Sequence, residues 1–342
     1  MRVDVLQPTQ REAYDQFLLE HPWSLLYYGS RYKDFLKALL GCGEEYLVAL
    51  EGDAIRGVLP LMYMENSAGR VYNSLPYYGS NGGIVADEPA AKALLLNAYT
   101  AIAHSGRTKS STVIGNPLAQ DEAISVDYNY IDHRIGQFTS LVFQGDIMEG
   151  LMARIDASAR RNVKKAFREG VTVEVDHTQM GRLREMHQEN MRSIGGLAKT
   201  DEFFTLVPEH FQPRQDYDVY LAKWEGQIIA GLLVFYFNRT AEYFTPAVVG
   251  DNRTVQAMAP ILATAMTDAA RRGFQWWNWG GTWLTQEGVY RFKKKWGAIE
   301  QNYTYRTQLN DASILGWPQE KILKTFPNFY VVPFSALTKE GQ

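Results

Sequence analysis

Four of the five residues Arg291-Phe292-Lys293-Lys294-Lys295 are cations, and Trp296 follows them. A lysine that reaches a water-poor cleft can hold a developing negative charge. Read as a strand, the segment sends alternate residues to opposite sides, so Lys293 points into a cleft and Lys294 to water. The plainer reading is an edge strand whose lysines discourage aggregation. A second cluster lies at 160–168: Arg160, Lys164 and Arg168 share a helix face at spacing four, with Arg161 and Lys165 beside them. Such a cluster either docks phosphates or is a solvated basic face. Trp276, Trp277, Trp279 and Trp283 crowd a third segment as core material, and Gly280 and Gly281 leave room for a ligand at a strand end.

Other chemistries find little support. The six histidines (21, 104, 133, 177, 187, 210) show neither HExxH nor HxH spacing, so no metal site is expected. Cys42 is the single cysteine, which excludes an internal disulfide framework and a thiolate zinc cluster. No Ser-His-Asp or Cys-His order stands out, so a covalent enzyme intermediate finds no support. Glu242 and Glu287 are candidate bases by location alone.

The elements that position these residues must come from a chain of 342 residues, 46% hydrophobic and 21% charged. That composition is globular, and the length predicts two domains. The net charge of -3 gives no overall basic face for DNA, but it hides an asymmetry. Residues 1–150 carry 11 Lys and Arg against 18 Asp and Glu, and residues 151–342 carry 24 against 20, so an anionic ligand leans on the second half. The longest apolar run, Ile228 to Phe237, is about half a membrane span. No transmembrane segment or secretory leader is read, and the expected location is cytoplasmic, which leaves room for peripheral membrane contact.

An internal repeat organises the chain. Tyr46 to Leu59 recurs as Tyr220 to Leu233 at an offset of 174, each copy reading as a hairpin around Glu-Gly, with Gly57 and Gly231 in the second strand. Ala98 to Gly106 resembles Ala265 to Gly273, a helix ending at glycine, and an apolar strand follows each, Ser111 to Ile114 and Gln275 to Trp279. The fold expected is a mixed α/β sandwich repeated in tandem, cut into 1–150 and 151–342, with residues 146–169 as two short bridging helices. Ser30 opens a helix stopped by Gly41, and Asp87 opens the one ending at Gly106.

Three stretches in this order resemble the Fem-type aminoacyl transferases and the related BioF-like acetyltransferase domains of the GNAT superfamily. Arg160-Arg161-Asn162-Val163-Lys164-Lys165-Ala166 through Gly170-Val171 is similar to the basic helix that starts their second domain. Asn278-Trp279-Gly280-Gly281 is like their DFGG segment, and Gly288-Val289-Tyr290-Arg291-Phe292-Lys293 through Ala298 is like their GlxxFKxxFGa signature. Leu75 to Gly83 also resembles the family's glycine-rich segment in the first domain.

The resemblance implies two tandem GNAT-like domains, the first degenerate and on the acceptor side, the second carrying the acyl donor and the catalysis. It implies Lys293 at the reaction centre, with Arg161, Lys165, Arg192, Tyr78, Asn81, Tyr243 and Phe292 on the substrate. The donor falls to Arg253, Gln256 and Ala257, although Asn252 to Pro260 lacks both glycines of the usual pyrophosphate loop. The function expected is transfer of an activated acyl or aminoacyl group to an amine of a cell-envelope precursor, a peptidoglycan stem peptide or a nucleotide- or lipid-linked amino sugar. No tightly bound cofactor is expected; acyl-CoA or aminoacyl-tRNA is the co-substrate, and tRNA is then a partner. The alternatives are an acetyl-CoA-dependent N-acetyltransferase of polysaccharide biosynthesis and a catalytically silent binding module of the same fold.

Overall fold

The structure, a computed structural model, describes residues 1–77, 81–119, 126–250, 255–282 and 287–338. The chain forms two compact units, Met1–Arg134 with Asn302–Gln342, and Ile135–Gln301. This differs from a single cut at residue 150, because the C-terminal segment returns to the first unit and residues 135–150 belong to the second.

The first unit contains β1 (Arg2–Val5), α1 (Arg11–Glu20), α2 (Ser30–Leu40), β2 (Gly43–Glu44), β3 (Leu47–Glu51), β4 (Ala54–Leu59), β5 (Met62–Asn66), β6 (Gly69–Asn73), β7 (Val85–Ala86), α3 (Pro89–Ala103) and β8 (Thr108–Ile114). Strand β9 (Tyr130–Ser140) then carries the chain into the second unit. There follow α4 (Ile147–Arg154), α5 (Ala157–Arg168), β10 (Thr172–Val175), α6 (Met180–Ser193), α7 (Asp201–His210), β11 (Tyr217–Trp224), β12 (Gln227–Phe237), β13 (Thr240–Val248), α8 (Met258–Arg271), β14 (Trp276–Thr282) and α9 (Glu287–Lys295). Strand β15 (Ile299–Leu309) returns the chain, and α10 (Gln319–Thr325) lies in the first unit.

The repeat is visible strand by strand. In the first unit β1 pairs antiparallel with β3, β3 with β4, and β6 runs parallel to β8. In the second, β10 pairs antiparallel with β11, β11 with β12, and β13 runs parallel to β14. A long helix precedes the last strand in each, α3 before β8 and α8 before β14. Both hairpins carry one bulge: Ala49 faces Gly57 and Leu50 faces Ile55, as Ala222 faces Ala230 and Lys223 faces Ile228. These registers correspond at an offset of 173, one less than the sequence match. The turns keep the same offset, Gly52-Asp53 in the first hairpin and Glu225-Gly226 in the second, so the sequence match of Glu51-Gly52 to Glu225-Gly226 lies one position out of the structural register.

In the second unit the core gathers Tyr220, Leu232, Val234, Trp277 and Trp279 of the sheet against Ile261, Leu262 and Met266 of α8 and Leu151, Val163 and Ala166 of α4 and α5. Residues 146–169 are therefore the two short helices expected, but they pack on α8 inside the unit and are not a bridge. Asp146 and Asp156 cap them, accepting from the backbone of Glu149 and Ser158.

Candidate active site

The segment 287–295 is a helix, which corrects the strand reading. Glu287 lies in its first turn and Lys293, Lys294 and Lys295 in its last, the charge order a helix dipole favours, and Gly297 closes it at φ +74°. Tyr290, Lys293 and Trp296 recur at spacing three, which brings them to one face. The contrast between neighbouring lysines survives for this different reason. Lys293 is 4% exposed, whereas Lys294 is exposed and meets Glu300 at 3.2 Å.

The Lys293 ammonium donates to Thr282 Oγ1 at 2.7 Å and to the Gly281 carbonyl at 3.2 Å. Both acceptors are neutral, and burial pushes the Lys293 pKa down to about 8. Thr282 donates to Gln137 Oε1 at 2.7 Å, and Gln137 Nε2 donates to the Tyr290 carbonyl at 3.4 Å. Beside this chain Trp279 Nε1 donates to Thr139 Oγ1 at 2.9 Å, which donates to the Trp296 carbonyl at 3.0 Å. Of the four tryptophans, Trp277 and Trp279 are buried, Trp276 is half-buried, and Trp283 lies outside the described residues.

The sheet parts next to Lys293. Strands β13 and β14 are registered over Thr240–Glu242 and Trp276–Asn278; beyond that point β13 keeps its pairing with β12 to Val248, and β14 its pairing with β9 at Gly281 and Thr282. At the parting Gly280 takes φ +73°, and among the described residues a Cβ there would meet nothing within 4 Å. Asn278 Nδ2, Thr245 Oγ1 and Trp277 Nε1 are buried near the parting and have no hydrogen-bond partner. Buried donors without partners cost ~1–3 kcal/mol each unless a ligand or water meets them. The open depression of about 440 Å³ lined by Arg214, Asp218, Tyr220, Asp268, Arg271 and Arg272 lies at the other end of α8, its charges paired internally as Arg272 with Asp218 at 3.1 Å and Arg271 with Asp268 at 3.5 Å.

The other expected residues distribute as follows. Phe292, 36% exposed, meets the Trp279 ring edge-on at 6.1 Å, and Tyr243 of β13 packs on Trp279 at 5.0 Å, with burial raising its phenol pKa. These three rings lie with Lys293 around β14. On α5, Arg161 is exposed and Lys165 half-buried, 3.8 Å from Glu169. Arg160 turns inward and donates to the Met152 and Ile155 carbonyls at 2.9 Å, so it serves the end of α4 and leaves the basic face. Arg192 is exposed at the end of α6, paired with Glu189 at 2.6 Å. Gln256, at φ +58°, and Ala257 form the entry to α8, whose N-cap has no side-chain hydrogen bond. Asn81 is buried in the first unit and donates to the Gly115 carbonyl at 3.4 Å. Tyr78 and Arg253 lie outside the described residues. Glu242 is buried on β13 beside Asn278 and accepts from Thr240 at 3.0 Å, whereas Glu287 pairs with Arg291 on the surface at 2.8 Å.

The sequence alone does not single out Gln137, Thr282 or Thr139. Their signal is weak: neutral polar residues inside strands, which become informative only once a buried lysine is known to face them. Among the described residues no group of histidine, cysteine, aspartate and glutamate is placed to hold a metal ion.

Residues 153–294 match the family described as acetyltransferase (GNAT) domain. No curated protein matches the chain. Among solved structures the chain is similar to FemX, with a TM-score of 0.70 at 16% identity over 90% of this chain and 97% of that one. It is also similar to the C-terminal domain of a putative lysylphosphatidylglycerol synthetase from Agrobacterium fabrum (TM-score 0.56, 13% identity, 92% and 96% covered). L-PGS from Bacillus licheniformis is a further likeness (0.54, 14%, 94% and 97%). The GNAT match runs from the end of α4 into α9 and includes Lys293 and Thr282 but not Gln137 or Thr139 of β9, and the FemX likeness extends over both units. Residues 153–294 thus carry the likeness to a GNAT acetyltransferase domain, and the chain as a whole shares the mixed α/β fold of FemX.

Proposed function

We propose that this acyltransferase moves an activated acyl or aminoacyl group from an ester or thioester to an amine of a cell-envelope precursor, with Lys293 holding the oxyanion. The amine nitrogen attacks the acyl carbon, the carbon–oxygen or carbon–sulfur bond breaks, and the proton lost by the amine ends on the leaving alcohol or thiol. The donor is already activated, so positioning and charge stabilisation suffice. One observation carries the reading: Lys293 is buried at the end of β14, and among the described residues two of its three N–H groups are engaged, both by neutral acceptors, which leaves one for a reacting oxygen.

The acceptor in this reading is a peptidoglycan stem peptide or a nucleotide- or lipid-linked amino sugar, and the exposed cations Arg161, Lys164 and Arg168 supply contacts to its phosphates or to those of tRNA. The printed names of two similar structures, lysylphosphatidylglycerol synthetase and L-PGS, lend support to an aminoacyl donor. A cytoplasmic place suits donors of either kind, and no helix among the described residues is long and apolar enough to cross a membrane. A second reading, acetyl-CoA as donor, is favoured by the entry to α8: without a side-chain cap, its first backbone amides can meet a pyrophosphate.

Thermal shift with acetyl-CoA, aminoacyl-tRNA and a UDP-linked amino sugar tests both. A donor at 100 times its Kd stabilises by ~2.7 kcal/mol. Stabilisation by one donor selects it; no shift with any of the three supports a catalytically silent module and removes the proposal.

A further inference from the structure

We propose that Gln137 and Thr282 are positioning residues that fix the direction of every hydrogen bond behind Lys293 and hold it as an ammonium. This inference rests on the reading of Lys293 as the oxyanion-binding group.

The Tyr290 carbonyl can only accept, so the Gln137 amide must turn its Nε2 toward it, at 3.4 Å. That leaves Oε1 facing Thr282, at 2.7 Å, and an amide oxygen can only accept, so the Thr282 hydroxyl proton is committed to Gln137. Thr282 Oγ1 then offers only lone pairs to Lys293 Nζ at 2.7 Å, and the Gly281 carbonyl at 3.2 Å does the same. Both contacts ask the nitrogen to donate, which favours the ammonium over the neutral amine. Gln137 is fully buried and Thr282 and Lys293 are each 4% exposed, so water competes little for these bonds.

Burial acts in the opposite direction and is the cause of the lowered Lys293 pKa. Among the described residues no carboxylate is on hand to resist it. On α9 itself Glu287 is paired with Arg291, Lys294 with Glu300 of β15, and Lys295 lies near Asp156 of the α5 cap. Strand β14 and residues 135–140 of β9 carry no titratable side chain. The neutral pair Gln137 and Thr282 is therefore what keeps the nitrogen protonated at neutral pH. A sequence with valine at 282 would retain the shape and lose this bias.

The test reads the lysine directly. Protein labelled with lysine carrying ¹⁵Nζ and ¹³Cε is titrated by NMR from pH 6 to 11, the Lys293 signal being assigned by its absence in Lys293→Arg. Thr282→Val removes an acceptor and should lower the Lys293 midpoint by about one pH unit. Gln137→Met frees the Thr282 proton to turn onto the nitrogen and should lower it as well. Gln137→Glu keeps the acceptor and adds a negative charge, so the midpoint should rise. Thr282→Ser should restore the wild-type value. Midpoints that stay at the wild-type value in Thr282→Val and Gln137→Met, with both variants folded by circular dichroism, overturn the inference. So does a lowered midpoint in Gln137→Glu. The alkaline limb of turnover against pH is measured in parallel. Midpoints that move while that limb stays fixed leave the positioning role standing and remove the catalytic reading of Lys293. A limb that follows the midpoints supports both.

Discussion

A Cβ on Gly231 would lie 2.9 Å from Leu183 Cδ1, so α6 presses directly on the backbone of β12. Met186 Cε at 3.0 Å and Leu221 Cδ2 at 3.2 Å close the remaining space. In the first unit Gly57 of β4, which corresponds in register to Ala230 and not to Gly231, is crowded from the α3 side: a Cβ there would meet Leu95 Cδ1 at 3.0 Å and Ala86 Cβ at 3.1 Å. Neither glycine takes a positive φ, so each is kept for space and not for conformation. Gly231→Ala and Gly57→Ala should each lower stability by ~1–3 kcal/mol, read from urea unfolding midpoints. A gain in either variant, as expected where alanine fits and stiffens the unfolded chain, would contradict the close packing.

Lys293 should weaken the fold that holds it. Its pKa is lowered, so the unfolded chain binds the proton more readily than the folded one between pH 8 and 10.5. Stability therefore rises as pH climbs through that window, and below about pH 8 the full cost stands. Lys293→Met should raise the pH 7 unfolding free energy by ~1–3 kcal/mol and flatten this alkaline rise, the upper figure being reduced by the acceptors left at Gly281 and Thr282. A Lys293→Met protein less stable than wild type at pH 7 would show that the hydrogen bonds outweigh the burial.

The basic face of α5 is tested by salt. Arg161 and Lys164 are exposed and Lys165 is only loosely paired with Glu169, at 3.8 Å. Replacing all three by alanine should weaken binding of the phosphate-bearing substrate at 50 mM salt and matter far less at 500 mM. For a tRNA ligand the slope of log affinity against log salt should fall by ~0.7–0.9 for each phosphate no longer neutralised. A slope of one or two in the wild-type protein marks a small nucleotide donor, and an unchanged slope in the triple variant removes α5 from the binding surface.

What is legible in the sequence is what repeats or clusters. Tyr46 and Tyr220, Gly57 and Gly231, and the two glycine-ended helices report the tandem order of elements, although the two hairpins correspond in register one position away from the sequence match. Lys293 stands out because a lysine between an aromatic and more lysines has few roles. Its secondary structure is harder to read: alternation suggests a strand, while Tyr290, Lys293 and Trp296 at spacing three, with Gly297 closing, specify the helix. The unit boundary is hidden for another reason. Strands β9 and β15 each run unbroken from one unit into the other, so no loop marks residues 134 and 301. Gln137 and Thr282 are hidden because hydrogen-bond direction depends on contacts 145 and 11 residues apart in the chain.

Turnover of Lys293→Ala beside Lys294→Ala tests the central claim most directly, with the donor that thermal shift selects. One ammonium is buried against Thr282 and the next meets Glu300 at the surface. Lys293→Ala should lose ~10²–10³ in kcat, or ~2.7–4 kcal/mol of transition-state stabilisation, with donor affinity nearly unchanged, while Lys294→Ala stays within a few-fold of wild type. A folded Lys293→Ala protein that turns over at the wild-type rate would contradict the account.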